Sequence, residues 1–246
     1  KIQEAGYIPF AIGGEAWQYT GALNVVMLSQ IDKAGYFKLY RDRDADFARG
    51  PEVRHALEIW RQLISYADEG SANRNWNDTT NLVITNKAAL QIMGDWAKGE
   101  FLNAGKVPGQ DFLCFRVPGT EGTVTFNADQ FAMFKVEDAG AQFAQAEMAK
   151  SVMSPKFQSA FNVVKGSVPA RTDVSDAAFD DCGKKGIAQL AAAAASGNLI
   201  GSMAHGHANR SAVKNAIYDV VTAEFNGEYD AATATQELVD AVALAQ

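Results

Sequence analysis

Most apolar positions along this chain recur three or four residues apart, the spacing of an amphipathic helix. This pattern predicts helices over Glu15–Ile31, from Pro51 to a stop at Gly70, from a cap at Asn77 or Asp78 through Asn86, and over 138–153, 155–164, 176–195, 207–226 and 231–245. Shorter apolar runs, ended by glycine or by a turn, predict strands at Tyr7–Ile12, Ala88–Met93, Phe112–Val117 and Val124–Lys135. The charged stretch Lys38–Asp46 is predicted to be irregular and exposed. Strands interleaved with many helices indicate an α/β chain with a small sheet.

Composition narrows the class of protein. The chain has 246 residues, of which 48% are hydrophobic and 21% charged, as is typical of soluble globular proteins. A formal charge of −7 argues against nucleic acid or an anionic membrane surface as the main partner. No apolar run approaches the roughly 20 residues of a membrane span. The first residues show neither an initiator methionine nor a signal peptide, so a processed or truncated chain is expected.

The two cysteines, Cys114 and Cys182, allow two interpretations. One is a disulfide that closes a long loop, which would add on the order of 4 kcal/mol to stability. The other is a pair of buried thiols that pack as small apolar residues. No spacing of cysteine and histidine predicts a metal site, and no motif predicts a cofactor.

Short polar and aromatic clusters stand between the core-forming segments. Each couples a flat ring or a directional hydrogen-bonding group to a glycine, proline or asparagine that interrupts secondary structure. Such a set suits a small polyhydroxylated ligand, because aromatic faces cover its apolar side while amides and carboxylates bind its hydroxyls. The clusters are Asn75-Trp76-Asn77, Gly94-Asp95-Trp96, Asn127-Ala128-Asp129, Lys165-Gly166-Ser167-Val168-Pro169 and Ser202-Met203-Ala204-His205.

The four tryptophans differ in whether the sequence favours a ligand-binding or a core position. Trp96 follows a predicted strand that ends in Gly94, at the start of the next helix, where α/β proteins place ligands. A core tryptophan under a loop is the alternative, and both stay open. Trp76 has asparagine on either side, which leaves little room for a core strand. Trp60 is predicted to be core because it shares a helical stripe with aliphatic residues, and Trp17 stays undecided.

Asn127 and Asp129 are two residues apart and would share one face of the predicted strand. Burying a carboxamide and a carboxylate without partners costs several kcal/mol, so both need partners. We favour recognition of neighbouring ligand hydroxyls over the alternative, which is an internal salt bridge or a turn cap.

Cationic and histidine candidates are weaker when taken singly. Lys165 precedes Gly166 at a predicted helix end, where a cation interacts well with the dipole and the glycine is an ordinary cap. His205 and His207 share one loop ahead of a helix, and a loop histidine is more often solvated than functional. His55 lies on the exposed side of a helix and is given no role.

Taken together, these clusters resemble a family. They stand in the order and at the separations found in the extracellular solute-binding proteins of bacterial sugar ABC transporters, and most closely in the periplasmic glucose- or mannose-binding subgroup. The resemblance covers nearly the whole chain and is specific for the family, less so for the sugar. The phrases that carry it are Gly94-Asp95-Trp96, Phe126-Asn127-Ala128-Asp129, Lys165 to Arg171, Asp180-Asp181-Cys182 and Ser202 to His205.

The resemblance implies a periplasmic binding protein-like α/β fold, with two lobes that close on a ligand by a hinge motion. Members of the family are longer, so it also implies a chain without its N-terminal lobe. In this interpretation residues 1–125 form the first part of the C-terminal lobe, and 172–246 form its helical second part. Residues 126–171 form a crossover that would normally complete the N-terminal lobe.

The resemblance further implies a set of sugar-binding positions. Two tryptophans would cover the apolar faces of a pyranose, and the remaining side chains would bind its hydroxyls. His207 corresponds to no requirement of the family. In an oxidising periplasm, the resemblance also modestly favours the Cys114–Cys182 disulfide. The implied ligand-binding residues are Trp76, Trp96, Asn127, Asp129, Lys165 and His205.

The function implied is non-catalytic: binding of a glucose-like monosaccharide in the periplasm and its delivery to an ABC transporter permease. The further partner implied for this chain is the missing N-terminal lobe or, by self-association, a second copy of the chain. One alternative is a carbohydrate-active enzyme with a pair of carboxylates, for which Asp95 and Asp129 are the candidates. Another is a module that presents sugar status to a chemoreceptor.

Overall fold

Helices dominate the computed structural model, which describes residues 1–244. Its α-helices are α1 (Ala16–Tyr36), α2 (Ala45–Ala48), α3 (Pro51–Ile64), α4 (Trp76–Ile84), α5 (Ala97–Asn103), α6 (Ala139–Val152), α7 (Pro155–Lys165), α8 (Asp181–Ala195), α9 (Ser211–Phe225) and α10 (Ala231–Leu244). Short 3₁₀ helices lie at Gln3–Ala5 and Ser71–Asn73, and a π-helical segment follows α1 at Phe37–Asp42. No helix in the described part of the chain is long and apolar enough to cross a membrane.

Four short strands form two parallel pairs. They are β1 (Ile8–Ala11), β2 (Ala88–Gln91), β3 (Val124–Phe126) and β4 (Leu199–Gly201). β1 pairs with β2, and β3 pairs with β4. Because parallel neighbours need a crossover connection, helices separate the members of each pair along the chain.

Two compact units share the chain. The first unit comprises Lys1–Gly94, Phe115–Asn127 and the residues from Ala193 onward, and the second comprises Asp95–Cys114 and Ala128–Ala192. These boundaries differ from the predicted segments 1–125, 126–171 and 172–246, whose assignment to lobes stays a prediction.

The first unit holds the main hydrophobic core, where α1, α3, α9 and α10 pack together. The predicted core position of Trp60 is confirmed, since its side chain is fully buried. Tyr19 of α1 stacks on Phe225 of α9, with ring centroids 3.8 Å apart. Burial, together with the nearby charge of Glu15, raises the pKa of Tyr19 to about 12.

The segment after α1 corrects a prediction. Lys38–Asp46 was expected to be irregular and exposed, yet its first half continues α1 as the π-helical segment, and Leu39 and Tyr40 are buried. The expectation was wrong because this apolar pair reaches the core while charged neighbours remain at the surface. Asp32, with φ of +54°, interrupts the helical geometry of α1, and its carboxylate accepts a hydrogen bond from the Gly35 backbone N–H at 3.0 Å.

The second unit is held by covalent and ionic links. Cys114 and Cys182 are joined by a disulfide, with Cα atoms 5.8 Å apart. The buried Lys98 Nζ donates to both carboxylate oxygens of Asp180 at 2.8 Å, and Asp180 also accepts from the Gly183 backbone N–H. Helix α6 buries no residue, in contrast to the helices of the first unit.

Two strand predictions are wrong, and one strand was not predicted. Phe112–Val117 forms no strand, and Val124–Lys135 is a strand only at Val124–Phe126. Among the described residues, the stretch after Phe126 has no neighbouring strand to pair with, so its apolar residues stay exposed, as Phe131 and Phe134 do. β4 lies between the predicted helices 176–195 and 207–226, where no strand was predicted, and its three residues pair with β3.

The helix predictions fare better. Helices predicted over 138–153 and 155–164, with a break at Ser154-Pro155, are confirmed as α6 and α7, where Ser154 caps α7 and Pro155 opens it. The helix predicted over 176–195 begins only at Asp181.

Candidate functional site

Several candidate residues lie in segments that follow strands, whereas Trp76 opens α4 and Lys165 ends α7. β1 is followed by Gly13, Gly14 and the start of α1, and β2 is followed by the Gly94-Asp95-Trp96 phrase. Asn127 follows β3, and the turn Ser202–His207 follows β4. Parallel strands align their carboxyl ends at one sheet edge, which is the edge where open α/β sheets bind ligands.

Within the first unit, the turn Ser202–His207 fixes two histidines beside the end of β3. The Ser202 backbone N–H donates to the Phe126 carbonyl at 2.9 Å, and the His207 backbone N–H donates to the Ser202 carbonyl at 2.9 Å. The Ser202 hydroxyl lies 2.9 Å from His205 Nδ1. The His205 ring is partly buried and tilted against the Trp17 ring, with centroids 6.1 Å apart. Trp17, whose role the sequence left open, therefore contacts His205, a predicted ligand-binding residue.

Asn127 is exposed and adjoins the same turn. Its carboxamide oxygen Oδ1 lies 3.0 Å from His207 Nε2, and the His207 ring is tilted against Phe126 at 5.4 Å. The prediction of a strand that carries both Asn127 and Asp129 on one face was wrong, because the strand ends at Phe126. Asn127 and Asp129 also fall in different units.

Trp76 is the first residue of α4 and is partly buried. Asn75 caps this helix by accepting from the Asp78 backbone N–H at 2.8 Å, so the predicted cap at Asn77 or Asp78 was two or three residues too late. The turn before the cap meets the end of β1, where the Gly14 N–H donates to the Arg74 carbonyl at 2.7 Å. A Cβ atom on Gly14 would stand 1.9 Å from the Ala72 carbonyl oxygen, so only glycine permits this approach.

Glu15 was missed by sequence reasoning. Its carboxylate oxygen Oε2 accepts from Trp17 Nε1 at 3.2 Å and from Gln18 Nε2 at 2.8 Å. The contact with Gln18 holds the Glu15 carboxylate, and the contact with Trp17 orients the indole at the start of α1. The only sequence signal was an acidic residue directly after a glycine pair, which is common at helix starts and carries little information.

In the second unit, Asp95 is tied to the loop that follows α7. Its Oδ2 accepts from the Val168 backbone N–H at 2.9 Å, and its carboxylate also accepts from the Ser167 hydroxyl. Removal of water from around the carboxyl raises the pKa of Asp95 above its ordinary value. The hydrogen bonds from Val168 and Ser167 and the charge of Lys165 act in the opposite direction.

Lys165 ends α7 and forms an ion pair with Asp129. Gly166 caps the helix with φ of +86°, as the sequence predicted. Trp96 is the N-cap residue of α5, and α5 packs against the end of α7 because Gly99 has no side chain. A Cβ atom on Gly99 would stand 2.7 Å from the Lys165 carbonyl oxygen.

The six predicted residues are thus divided between the units. In the first unit, His205 lies in the turn Ser202–His207 and Asn127 adjoins it. Trp76, at the start of α4, belongs to the same unit. Asp129 and Lys165 pair in the second unit, where Trp96 lies at the start of the helix packed on α7. That they form one ligand site stays a prediction.

Proteins named probable sugar-binding periplasmic protein match this chain over its whole length. The one from Rhizobium meliloti (strain 1021) is 55% identical over 246 residues, and the one from Brucella suis biovar 1 (strain 1330) is 52% identical. The chain is a homologue of these two proteins. It spans 59% and 58% of the length of these two relatives. No protein-family model matches the chain.

Solved structures with the same fold as this chain identify its fold class. A chitin oligosaccharide binding protein matches 99% of the chain with a TM-score of 0.76 and 16% identity, and 62% of that protein is covered. The bacterial solute receptor AcbH, described with an exclusive preference for β-D-galactopyranose, matches 97% with a TM-score of 0.73 and 15% identity, and 61% of it is covered. The predicted periplasmic binding protein-like α/β fold is confirmed.

Proposed function

We propose that the protein containing this chain binds a sugar in the periplasm and delivers it to an ABC transporter permease. The observation that carries the proposal is the 55% identity, over the whole chain, to a protein named as a sugar-binding periplasmic protein. The names of the relatives denote binding proteins rather than enzymes. Because the chain spans 59% of that relative, the proposal concerns the longer protein.

The arrangement of side chains supports sugar as the ligand class. Each unit presents an indole at a helix start, Trp76 in the first and Trp96 in the second, and indole faces suit the apolar face of a pyranose. Each unit also contains polar candidates: Asn127 and His205 in the first unit, and Asp129 and Lys165 in the second. We assign the indoles to stacking and the polar groups to ligand hydroxyls.

The working mechanism is differential binding. Sugar would favour a closed form in which both lobes contact the ligand, and the permease would recognise that form. A sugar with a missing or inverted hydroxyl would leave a buried polar group unpaired, which discriminates strongly between sugars.

A glucose-like hexose is the specific ligand we propose. The solved neighbours carry names that refer to a chitin oligosaccharide and to β-D-galactopyranose, so the panel in the test must extend beyond glucose. Calorimetric titration with D-glucose, D-galactose, D-mannose and diacetylchitobiose, on the chain and on the longer protein, ranks these sugars directly.

Trp96→Ala tests the stacking role. An aromatic contact contributes about 0.5–1.5 kcal/mol, so we expect about a two- to tenfold loss of affinity for the preferred sugar. His55→Ala, at an exposed position of α3, is the matched control and should bind normally. Failure of the folded longer protein to bind any of the four sugars would refute the proposal, and hydrolysis of aryl glycosides would favour a carbohydrate-active enzyme instead.

A further inference from the structure

His207 has no role in the sugar site proposed above, yet its backbone is among the most closely fitted parts of the first unit. A Cβ atom on Gly201 would stand 2.2 Å from the His207 carbonyl oxygen, so the last residue of β4 must be glycine for the turn to close. The His207 N–H donates to the Ser202 carbonyl at 2.9 Å, and Gly206, with φ of +76°, completes the reversal. The turn thereby places the imidazole beside the end of β3.

Two contacts then hold the imidazole at one orientation. Its ring lies against Phe126, with centroids 5.4 Å apart, and its Nε2 lies 3.0 Å from Asn127 Oδ1. Phe126 is itself anchored, since its carbonyl accepts from the Ser202 N–H at 2.9 Å. The imidazole and the carboxamide are therefore held in segments that follow two paired strands, β4 and β3.

The orientation of the carboxamide sets which group donates. A carboxamide oxygen only accepts hydrogen bonds, so with Oδ1 facing the ring this contact is a hydrogen bond when His207 Nε2 carries the hydrogen. A carboxamide held by its oxygen cannot exchange its two ends, and its amino group, Nδ2, then faces away from the imidazole. Asn127 is exposed, so this amino group is accessible from solvent.

We propose that His207 is a positioning residue that orients Asn127 as a hydrogen-bond donor towards the ligand. The inference rests on the proposed sugar-binding function and deepens it. It assigns Asn127 to an acceptor atom of the sugar, such as a hydroxyl or ring oxygen. A rotated carboxamide would present its oxygen and would instead select for a ligand group that donates.

Nuclear magnetic resonance of the 246-residue chain without sugar tests the orientation directly. We expect the nitrogen resonances of His207 to show a protonated Nε2, and a scalar coupling across the hydrogen bond between His207 Nε2 and the Asn127 side-chain carbon. In His207→Leu we expect a lower order parameter for the Asn127 amino group, because its carboxamide is released. An unprotonated Nε2, or an Asn127 order parameter unchanged in His207→Leu, would overturn the proposal whether or not any sugar binds.

Sugar titration of the longer protein supplies the functional arm, with the sugar that binds best among D-glucose, D-galactose and D-mannose. We expect His207→Leu to lose about two- to tenfold in affinity and His207→Gln to recover part of this loss, since its side-chain amide can donate to Asn127. His55→Leu is the matched control on α3. Full affinity in His207→Leu would contradict the positioning role. Absence of binding in every variant would refute the sugar-binding function, while the resonance data still decide the orientation.

Discussion

Glu224 is a carboxyl group fully buried in the first unit, on the last turn of α9. Burial raises its pKa to about 8, and the opposing charge of Arg61 lowers it only in part. The Arg61 guanidinium donates to the Glu224 backbone carbonyl at 2.9 Å rather than to the side chain. Glu224 therefore stays protonated in the folded protein at neutral pH.

This burial predicts how stability depends on pH. The folded pKa lies above the ordinary value of 4.5, so between these pH values the folded state binds one more proton than the unfolded state. Stability should fall as pH rises through this window, by at most about 1.4 kcal/mol per pH unit, and level off above pH 8 or so. Urea unfolding at a series of pH values measures this slope.

Glu224→Gln isolates the contribution of that carboxyl. The amide cannot ionise, so the variant should lose this part of the slope and gain stability relative to the parent as pH rises. Glu228→Gln changes an exposed glutamate nearby and should leave the slope in place. An unchanged slope in Glu224→Gln would show that the folded protein does not hold this proton.

For single residues, the sequence predicted structural roles more readily than the residues that each side chain contacts. Trp60 was predicted to be core from its helical stripe, and Gly166 was predicted as a cap from its place after a helix. The contact between His207 and Asn127 joins residues 80 positions apart, so no local pattern could reveal it. Gly201 at the end of β4 was the one local signal in the sequence, and only the structure shows that it permits the turn to His207.

Among the elements, the junction of α5 and α7 depends on glycine on both sides. Gly166 has φ of +86°, and a Cβ atom there would stand 2.5 Å from the Gly99 backbone nitrogen. Gly166→Ala combines left-handed strain, about 1–2 kcal/mol, with a backbone clash, so we expect a loss above 2 kcal/mol or so. Gly105→Ala carries the strain alone, since φ is +71° and nothing lies within 4 Å. Hydrogen exchange of the second unit measures both variants, and equal losses would contradict the close approach.

Helices were predicted well because their periodicity is local. α6 and α7 were separated correctly at Ser154-Pro155, where a cap and a proline mark the boundary. The strands are only three or four residues long, too short for a period of two to stand out. β4 was missed for this reason, and the apolar run after Phe126 was mistaken for a strand because hydrophobicity alone does not supply a pairing partner.

For the whole molecule, the disulfide acts within one unit. Cys114 and Cys182 are 68 residues apart, and both belong to the second unit. We expect the double substitution to serine to destabilise the second unit by about 2–4 kcal/mol and to leave hydrogen exchange in the first unit nearly unchanged. Addition of a reductant to the parent chain should reproduce this effect and should have none on the double variant. Equal protection of the second unit in both chains would refute the prediction.

The second unit also exposes much apolar surface. The side chains of Phe134, Phe143 and Val164 are 78%, 68% and 69% exposed, and α6 buries none of its residues. The curated relatives are longer than this chain, so a part of their length is available to cover such a surface. In the 246-residue chain by itself, we expect a second copy to cover it.

Light scattering across a range of concentrations tests this expectation. Phe143→Ser combined with Val164→Ser should weaken the self-association of the chain. Tyr7→Ser, at a 51% exposed aromatic of the first unit, should not. A parent chain that stays monomeric at high concentration would contradict the prediction.

The interleaving of the two units also bears on how the chain folds during synthesis on the ribosome. Helices α1 and α3, within Lys1–Gly94, pack against α9 and α10, and about 120 residues separate Gly94 from the start of α9. At translation rates of about 5–20 residues per second, the early helices wait on the order of ten seconds for their partners. Until then α1 and α3 have only each other to pack against, and the faces that contact α9 and α10 in the folded chain stay uncovered.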